Sequence, residues 1–598
     1  MRIVLLLYAV ALAVSLAGAG PSEPAETQLA YIGPGAGFAF LGSFLTLLWA
    51  FAVSIGTLLT WPVRMAVKSA RRRQGMKNAR IKKLIFLGLD GLDPRRTESL
   101  MEAGRLPNLA RLRERGSYRR LRTTYPSLSP VAWSTFATGV NPGKHNIFDF
   151  LNRNMKSYLP ELSSSRVHGP RRTLRLGKWI IPLSRPSVDL RRKSVPFWKI
   201  LGDNEIDCTV LRIPITFPPE KFNGRLLSAM CTPDLRGTQG SFSFFSTRAE
   251  KVSYENGSRY PLRREGKVVS GVLEGPDHPL RADAGKLSVP FTLTFNGKPD
   301  AATLAIDGET HELKLGEYTS WVNVSFRATV GVKARGICRF LLTAADPEVN
   351  LYVSPINIDP ENPALPISHP HYYSAYLAKL LGSFATVGMV EDTWALNEGA
   401  IDERAFLDQA YLTHQEREAM FFSALDRTRQ GVAACVFDAS DRIQHMFYRY
   451  LEGRAEGPFA NTIDEMYVRM DELVGRTLQY VDDQTVLFVL SDHGFGSFRR
   501  AINLNTWLLR QGYLVMQDGY DRPGSFLKGV DWTKTRAYVL GLGGMYLNLK
   551  GREAKGIVEP GREAEELKKE LIGKLSGLRD EERDEVAIRE VYAATEIY

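Results

Sequence analysis

Three short, strongly apolar segments of the chain each end on residues that buried strands do not normally carry. The segments are 81–89, 431–437 and 485–490, and the residues that follow them are Asp90, then Asp441 and His445, then Asp492 and His493. Short apolar runs bounded by glycine or turn residues predict buried strands. Charged and imidazole groups are costly there unless a partner satisfies them, and α/β enzymes bind ligands at the carboxyl ends of parallel strands. The pattern therefore predicts a site, for which a divalent cation is the natural partner.

Between these strands the apolar residues recur at helical spacing. One such segment covers 106–115 and another covers 463–478. Strands and helices alternate along both 81–154 and 351–598, which predicts a mostly parallel sheet flanked by helices. We therefore expect an α/β catalytic domain, with 81–154 as its first part and 351–598 as its second part, which we expect to be incomplete.

The segment 155–350 has a different pattern. Its apolar and polar residues alternate one by one, and Asn296-Gly297 and Asp307-Gly308 stand between the alternating runs. Such dipeptides are typical of tight β-hairpin turns. The pattern predicts an antiparallel β-rich insertion within the α/β domain.

The N-terminal part of the chain predicts contact with a membrane. Residues 37–63 contain no charged residue, and the segment is long enough for a transmembrane helix. Residues 1–20 have the basic start, apolar centre and small exit residues of a secretory signal peptide, or they form a first membrane helix. Residues 64–80 are a basic juxtamembrane linker. A buried core helix is the alternative for 37–63, but core helices rarely lack charge over such a length.

Charge narrows the choice of partners. The net charge of +11 suggests a polyanion, but nine of the cations lie between 64 and 83 without a single acid, so the rest of the chain is nearly neutral. Nucleic-acid binding is therefore not expected. By the positive-inside rule the linker holds the catalytic domain on the cytoplasmic side of the cell membrane, with an extracytoplasmic location as the alternative. The four cysteines are widely spaced, which argues against a zinc–thiolate site.

The candidate ligands suit particular metals. Asp441 and His445 are four residues apart, so a helix would place both on one face. Carboxylate and imidazole groups together suit zinc, or a borderline metal such as manganese. Taken alone, Asp90 is as well explained by helix capping or an Asp-Gly turn, Asp441 by helix capping, and His445 by a place in the core. The occurrence of such residues after three strands favours a metal site.

A candidate nucleophile precedes a predicted helix. In the segment 125–139, Pro126 and Pro130 bracket a turn that contains Ser127 and Ser129. A hydroxyl at a helix N-terminus beside a cation can ionise and attack, and the same N–H groups favour a phosphate. Both serines qualify, and helix capping is the alternative role for each.

Four blocks occur in order along the chain and carry a resemblance. They are Gly88-Leu-Asp-Gly91, the Ser-Pro-x-x-x-Ser-Thr-Phe-Ala-Thr-Gly block that ends at Gly139, Asp441-x-x-x-His445, and Ser491-Asp-His-Gly494. Together they resemble the alkaline phosphatase superfamily, in particular its type I phosphodiesterase/nucleotide pyrophosphatase branch. The resemblance covers roughly 81–150 and 351–500.

The resemblance implies a site with two divalent ions, Zn²⁺ or alternatively Mn²⁺. It implies that one ion is held by Asp90, Asp492, His493 and the nucleophile, which aligns with Ser129, and the other by Asp441 and His445. The implied reaction is hydrolysis of a phosphodiester or pyrophosphate, such as a nucleotide, through a serine phospho-enzyme.

The chain departs from the family pattern at two points. Ala132 stands where the phosphodiesterase branch has an asparagine that holds a phosphate oxygen, and no histidine follows His493 where a third metal histidine is expected. The second departure predicts C-terminal truncation, or else a ligand such as His369 or His371. Two alternatives stay open: a membrane transferase of phospho-head-groups from the same superfamily, and a non-catalytic membrane-anchored binding protein with a decayed site.

Overall fold

The computed structural model describes residues 79–184, 186–249, 252–281, 283–297, 300–329 and 331–598, and single positions between 51 and 70. The chain divides into two compact units, Met1–Gln74 and Gly75–Tyr598, and the elements below belong to the second. The predicted signal segment 1–20 lies outside the described residues, as do most positions of the predicted spanning helix 37–63 and of the linker 64–80. Among the described residues, no helix has the length and apolar character needed to cross a bilayer.

Most strands of the second unit are short. In chain order they are β1 (Lys83–Leu89), β2 (Leu151–Arg153), β3 (Pro160–Leu162), β4 (Ser165–His168), β5 (Thr173–Leu176), β6 (Trp179–Pro182), β7 (Ser187–Leu190), β8 (Cys208–Leu211), β9 (Arg225–Leu227), β10 (Phe242–Ser246), β11 (Gly257–Pro261), β12 (Arg263–Glu265), β13 (Val268–Asp277), β14 (Lys286–Thr294), β15 (Ala301–Ile306), β16 (Glu309–Lys314), β17 (Val322–Thr329), β18 (Val332–Cys338), β19 (Phe340–Ala344), β20 (Asn350–Val353), β21 (Asn357–Ile358), β22 (Ser368–His369), β23 (Gly431–Phe437), β24 (Thr485–Leu490), β25 (Ala537–Leu540), β26 (Gly544–Leu547), β27 (Arg579–Asp580) and β28 (Glu585–Val586).

The helices vary more in length. In chain order they are α1 (Pro94–Glu102), α2 (Pro107–Arg115), α3 (Ser129–Thr138), α4 (Pro142–His145), α5 (Phe197–Asp203), α6 (Tyr373–Leu381), α7 (Thr393–Asn397), α8 (Glu403–Arg427), α9 (Ala439–Leu451), α10 (Thr462–Thr477), α11 (Leu504–Arg510), α12 (Arg562–Leu575) and α13 (Ala594–Ile597).

The central sheet has the predicted character. Its six strands have the order β22-β9-β8-β23-β1-β24. The four pairs that join β9, β8, β23, β1 and β24 are parallel, and the edge pair β22–β9 is antiparallel. The predicted strands 431–437 and 485–490 have the observed bounds, and the strand predicted at 81–89 begins two residues later. The sheet is thus mixed but mostly parallel.

Helices cover both faces of this sheet. Ile85 and Leu87 of β1 belong to a buried cluster formed with α8, α9 and α10. Leu84 and Phe86, which alternate with them, pack into a second cluster with α3 and α5. Residues that alternate along a strand point to opposite faces, so β1 is covered on both sides. A strand covered on both sides needs apolar residues throughout, which explains the continuous apolar runs in the sequence.

The predicted insertion is β-rich but does not form one block. Strands β12–β16 form a five-stranded antiparallel sheet, and Asp307 and Gly308 at its β15–β16 turn both have positive φ, 48° and 87°. However, β8 and β9 lie inside 155–350 and belong to the central sheet. The sequence pattern missed them because each is only three or four residues long. The segment 155–350 therefore contributes two strands to the central sheet in addition to its own antiparallel sheets.

Candidate active site

The three loops that follow β23, β1 and β24 lie side by side. β1 pairs in parallel with both of the other strands, so the carboxyl ends of all three meet at one edge of the sheet. Asp90 follows β1 directly, Asp441 lies in the first turn of α9 behind β23, and Asp492 is two residues beyond β24. All three carboxylates are buried, with exposed fractions of 1, 3 and 7%. Parallel topology alone brings together residues about 400 positions apart in the chain.

One ligand atom each from Asp90, Asp441 and His493 lies within 4.8 Å of the other two. Nε2 of His493 is 3.7 Å from Asp90 Oδ1 and 3.9 Å from Asp441 Oδ1. The same nitrogen is 3.4 Å from Asp492 Oδ2. His445, one helical turn after Asp441, places its Nε2 3.3 Å from Asp441 Oδ1. The structure therefore brings the predicted ligands together.

The His493 ring is oriented as a metal ligand requires. Its Nδ1 lies 2.7 Å from the carbonyl oxygen of Gly494. A carbonyl oxygen only accepts hydrogen bonds, so in the neutral ring Nδ1 carries the hydrogen and donates it. The lone pair of Nε2 then faces the three carboxylates. Metal-binding histidines are commonly held in this way by a carbonyl behind the ring.

Two carboxylate oxygens of the site lack a satisfying partner. Oδ1 of Asp441 and Oδ2 of Asp492 are buried and accept no hydrogen bond of good geometry. Their nearest polar neighbours are the imidazole nitrogens of His445, at 3.3 Å, and His493, at 3.4 Å. A buried carboxylate oxygen without a partner is costly, and a cation removes that cost. The residues present therefore fit a divalent metal with carboxylate and imidazole ligands.

Ser129 is the serine that touches this group. It is the first residue of α3, it is 7% exposed, and its hydroxyl donates to Asp90 Oδ1 at 3.3 Å. Its Oγ is also 3.1 Å from His493 Nε2. Ser127, the other candidate nucleophile, is exposed in the loop before the helix. Burial against Asp90 and His493 thus distinguishes two serines that the sequence left equivalent.

Burial and neighbouring charges shift the pKa values of the three carboxyl groups. Burial raises the pKa of Asp90 well above its ordinary range, and the charges of Asp492 and Asp441 raise it further. Burial also raises the pKa of Asp492. Burial acts in the same direction on Asp441, but contacts with His445 and Arg442 outweigh it and lower the pKa of that carboxyl. A bound cation would relieve the mutual repulsion of the three groups.

Sequence reasoning missed the side chains that hold the predicted ligands in place. The indole N–H of Trp133 donates to Asp90 Oδ2 at 2.7 Å. The Gln444 amide donates to the carbonyl of Gly91 at 2.7 Å, and the Ser440 hydroxyl donates to the carbonyl of Asp90 at 2.6 Å. Only Trp133 had a signal in the sequence, since it lies one helical turn after the candidate Ser129. The other contacts depend on how α9 crosses the end of β1.

Gly91 allows the first loop to pass close to Asp441. Its φ is +69°, which strains any residue with a side chain, and a Cβ there would lie 3.0 Å from Asp441 Oδ1. Glycine is therefore required by both backbone conformation and space.

The two histidines considered as a substitute third ligand lie elsewhere. Nε2 of His369, on the edge strand β22, is 2.8 Å from the carbonyl oxygen of Phe222. His371 is exposed. Within the described part of the chain, neither contacts the predicted ligands.

Comparison with known proteins supplies the family. A search of curated proteins and a search of solved structures each found no match. A family model described as type I phosphodiesterase / nucleotide pyrophosphatase matches residues 84–278 and 298–597. These segments cover more than half of the chain and contain all six predicted site residues. The protein therefore belongs to the type I phosphodiesterase/nucleotide pyrophosphatase family.

Proposed function

We propose that this chain is a divalent-metal-dependent hydrolase of phosphodiesters or pyrophosphates, with Ser129 as its nucleophile. Family membership supports hydrolysis of a phosphoric ester, nucleotides included. The single observation that carries the rest is the environment of Ser129. Its Oγ lies at the N-terminus of α3, 3.3 Å from Asp90 Oδ1 and 3.1 Å from His493 Nε2.

The six proposed site residues divide unevenly between two ions, and the second ion has only two protein ligands among the described residues. In this proposal one ion is held by Asp90, Ser129, Asp492 and His493, and the other by Asp441 and His445. Carboxylate and imidazole ligands suit Zn²⁺, with Mn²⁺ as the alternative. When bound, such ions neutralise the carboxylates and act as Lewis acids toward phosphate oxygens.

The residues of the chain account for the covalent steps. Oγ of Ser129 attacks phosphorus, the bond from phosphorus to the leaving oxygen breaks, and the departing group takes up a proton. In the resting arrangement the Ser129 hydroxyl donates a hydrogen bond to Asp90 Oδ1, so this carboxylate takes up the hydroxyl proton as Oγ attacks and passes it to the departing oxygen. Water then cleaves the serine–phosphorus ester and restores the hydroxyl. The N-terminus of α3 favours the negative charge of the phosphoryl group throughout.

Replacement of the two serines tests the nucleophile. We expect Ser129→Ala to lower kcat by about a thousandfold or more on a nitrophenyl phosphodiester and on a nucleotide pyrophosphate. Ser127→Ala is the matched control, because it removes an exposed hydroxyl two residues away. We expect that variant to stay within a few-fold of the original chain. The reverse outcome, or full activity in Ser129→Ala, would rule out Ser129.

Two measurements separate this proposal from its alternatives. Elemental analysis of the purified protein should find divalent metal, whereas a chain with a decayed site should hold none in stoichiometric amount. Incubation with a phospholipid and diacylglycerol distinguishes hydrolysis from head-group transfer, since a transferase yields a new phospholipid instead of a free phosphate ester.

Membrane anchoring through 37–63 and a cytoplasmic catalytic domain stay proposals from the sequence. Protease treatment of intact and of lysed cells tests the side of the membrane. Protection in intact cells alone does not distinguish the cytoplasm from a sealed outer compartment, so selective permeabilisation of each membrane is the decisive step.

A further inference from the structure

The hairpin of β5 and β6 carries an exposed apolar face. Its register pairs Leu174 with Ile181 and Leu176 with Trp179. Opposed residues, and residues two apart on one strand, share a face of a sheet, so these four side chains lie together. Their exposed fractions are 44% for Leu174, 38% for Ile181, 55% for Leu176 and 40% for Trp179. Four neighbouring large apolar side chains with this exposure form a patch rather than scattered surface residues.

The charged residues of the segment that contains this hairpin are all basic. The sequence contains no acidic residue between 162 and 188, while the basic residues there are Arg166, Arg171, Arg172, Arg175, Lys178 and Arg185. Arg171, Arg172 and Arg175 are exposed, and none forms an ion pair with a described residue. Lys178 is partly neutralised by Asp283 at 3.5 Å. Arg166 is ion-paired with Glu161, and Arg175 alternates with Leu174 and Leu176 and so lies on the opposite face of the hairpin. The uncompensated positive charge next to the apolar face is therefore that of Arg171 and Arg172, just before β5.

The hairpin is held in place without being covered. A two-stranded hairpin alone is marginally stable in water. Here the backbone N–H of Ile180 donates to the carbonyl of Leu280 at 2.8 Å, and the Arg281 guanidinium lies 5.5 Å from the centre of the Trp179 ring. These contacts fix one edge of the hairpin and cover part of the Trp179 ring, while the four apolar side chains keep the exposed fractions given above.

We infer that this hairpin docks on an anionic lipid bilayer, with its apolar face in the interface and its arginines on the head-group phosphates. Aliphatic side chains beside a tryptophan, bounded by arginines, suit the boundary between head groups and acyl chains. Each basic residue near an anionic surface adds attraction. A nucleic-acid surface would instead present aromatic rings for base stacking, and this face has a single ring. The inference goes beyond the proposed reaction and does not depend on it.

A dye on the hairpin of the full chain tests the inference. The four native cysteines are buried, so a thiol reagent reaches an introduced cysteine selectively. Leu183, which follows β6 and is 62% exposed, is the site for a Leu183→Cys substitution and an environment-sensitive dye. We expect a blue shift and quenching by nitroxide lipids with vesicles of phosphatidylcholine and phosphatidylglycerol, and little change with phosphatidylcholine alone. The readout is local, so binding of vesicles elsewhere on the chain does not produce it.

Two pairs of variants separate the apolar face from the charge. We expect Leu174→Ser with Leu176→Ser, and separately Arg171→Gln with Arg172→Gln, to raise the lipid concentration at half-maximal shift about tenfold. The loss of binding caused by the two arginine substitutions should also become smaller as the salt concentration rises. The matched controls are Val272→Ser on β13, 48% exposed, and Arg562→Gln on α12, 92% exposed. Both controls should behave like the original chain, and unchanged thermal unfolding should verify that every variant is folded.

Three outcomes would overturn the inference. The first is a dye that stays in a water-like environment with anionic vesicles. The second is an apolar-face variant that cannot be distinguished from Val272→Ser. The third is an emission shift caused by single-stranded RNA but not by vesicles, which would assign the face to nucleic acid instead.

Discussion

At the scale of single residues, Trp133 holds Asp90, the first of the proposed metal ligands, by a hydrogen bond. Its N–H hydrogen bond stabilises the ionised form of Asp90, whose pKa burial raises. We expect Trp133→Phe, which keeps a ring but removes the donor, to weaken metal binding about 10- to 100-fold, because partners behind a ligand have effects of that size. Calorimetric titration with Zn²⁺ or Mn²⁺ measures it. Trp198→Phe is the control, since Trp198 is equally buried in the same core cluster. An equal loss in both variants would mean that packing, and not the hydrogen bond, is responsible.

A comparison of Gly91 with Gly104 separates the effect of backbone strain from that of steric crowding. We expect Gly91→Ala to destabilise the fold by about 1–3 kcal/mol and also to displace Asp441, since its new Cβ meets that side chain. Gly104 has a similar φ of +73°, but no atom lies within 4 Å of the position that a Cβ would take there. Gly104→Ala should therefore lose stability and keep its activity. Urea unfolding and kcat, measured on both variants, distinguish the effects. Full activity in Gly91→Ala would show that the loop tolerates the added carbon.

At the scale of elements, the contact between α4 and α3 makes the stability of the fold sensitive to acid. Within α4, His145 has its Nδ1 3.2 Å from the donating N–H of Ile147, and its Nε2 is 2.9 Å from Thr135 Oγ1 on α3. Burial, and then the charge of Arg192, lower the pKa of His145 from 6.5 to about 4. In that window the unfolded chain binds a proton that the folded chain excludes. The stability that the neutral His145 contributes to the fold is therefore present above pH 6.5 and is lost as the pH falls toward about 4.

His145→Gln should make stability less dependent on pH across this window. Urea unfolding at several pH values measures the effect. His371→Gln is the control, because it removes an exposed histidine and should leave the pH dependence unchanged. A curve for His145→Gln as steep as that of the original chain would show that other groups set the acid limit.

The same scale shows how far the sequence predicts this structure. β23 and β24 were predicted to the residue, because both are continuous apolar runs. β23 is buried along its whole length, whereas β24 lies at the sheet edge and is less buried than the sequence predicted, with Phe488 48% exposed. Asp90 and Asp492 could be proposed as ligands from the sequence because they lie within two residues of the ends of such strands. β8 and β9 were missed, since strands of four and three residues give no periodic signal. The contact between Gln444 and the Gly91 carbonyl joins positions 353 apart, and only the packed fold determines it.

At the scale of the whole molecule, the candidate site lowers the stability of the fold when no metal is bound. Three buried carboxylates share one sheet edge, and burial raises the pKa of both Asp90 and Asp492. A carboxyl with a raised pKa in the folded state stabilises that state in acid, and this contribution is lost as the pH rises through the folded-state pKa. Near neutral pH the chain without metal is therefore penalised, and ligand binding to the folded state offsets the penalty.

We therefore expect metal to raise the Tm of the original chain near neutral pH, by the equivalent of about 3 kcal/mol at a metal concentration about a hundredfold above Kd. Asp90→Asn should raise the Tm of the metal-free protein, because it removes one of the repelling charges, and should abolish most of the response to metal. Asp203→Asn on α5, whose side chain is 58% exposed, is the control and should change neither value. Thermal unfolding with chelator and with added Zn²⁺ or Mn²⁺ measures all three proteins. If Asp90→Asn lowered the Tm of the metal-free chain, the hydrogen bonds that Asp90 accepts from Trp133 and Ser129 would outweigh the repulsion. In that event the carboxylate cluster would support the fold as well as the chemistry, and the opposition between them would be wrong.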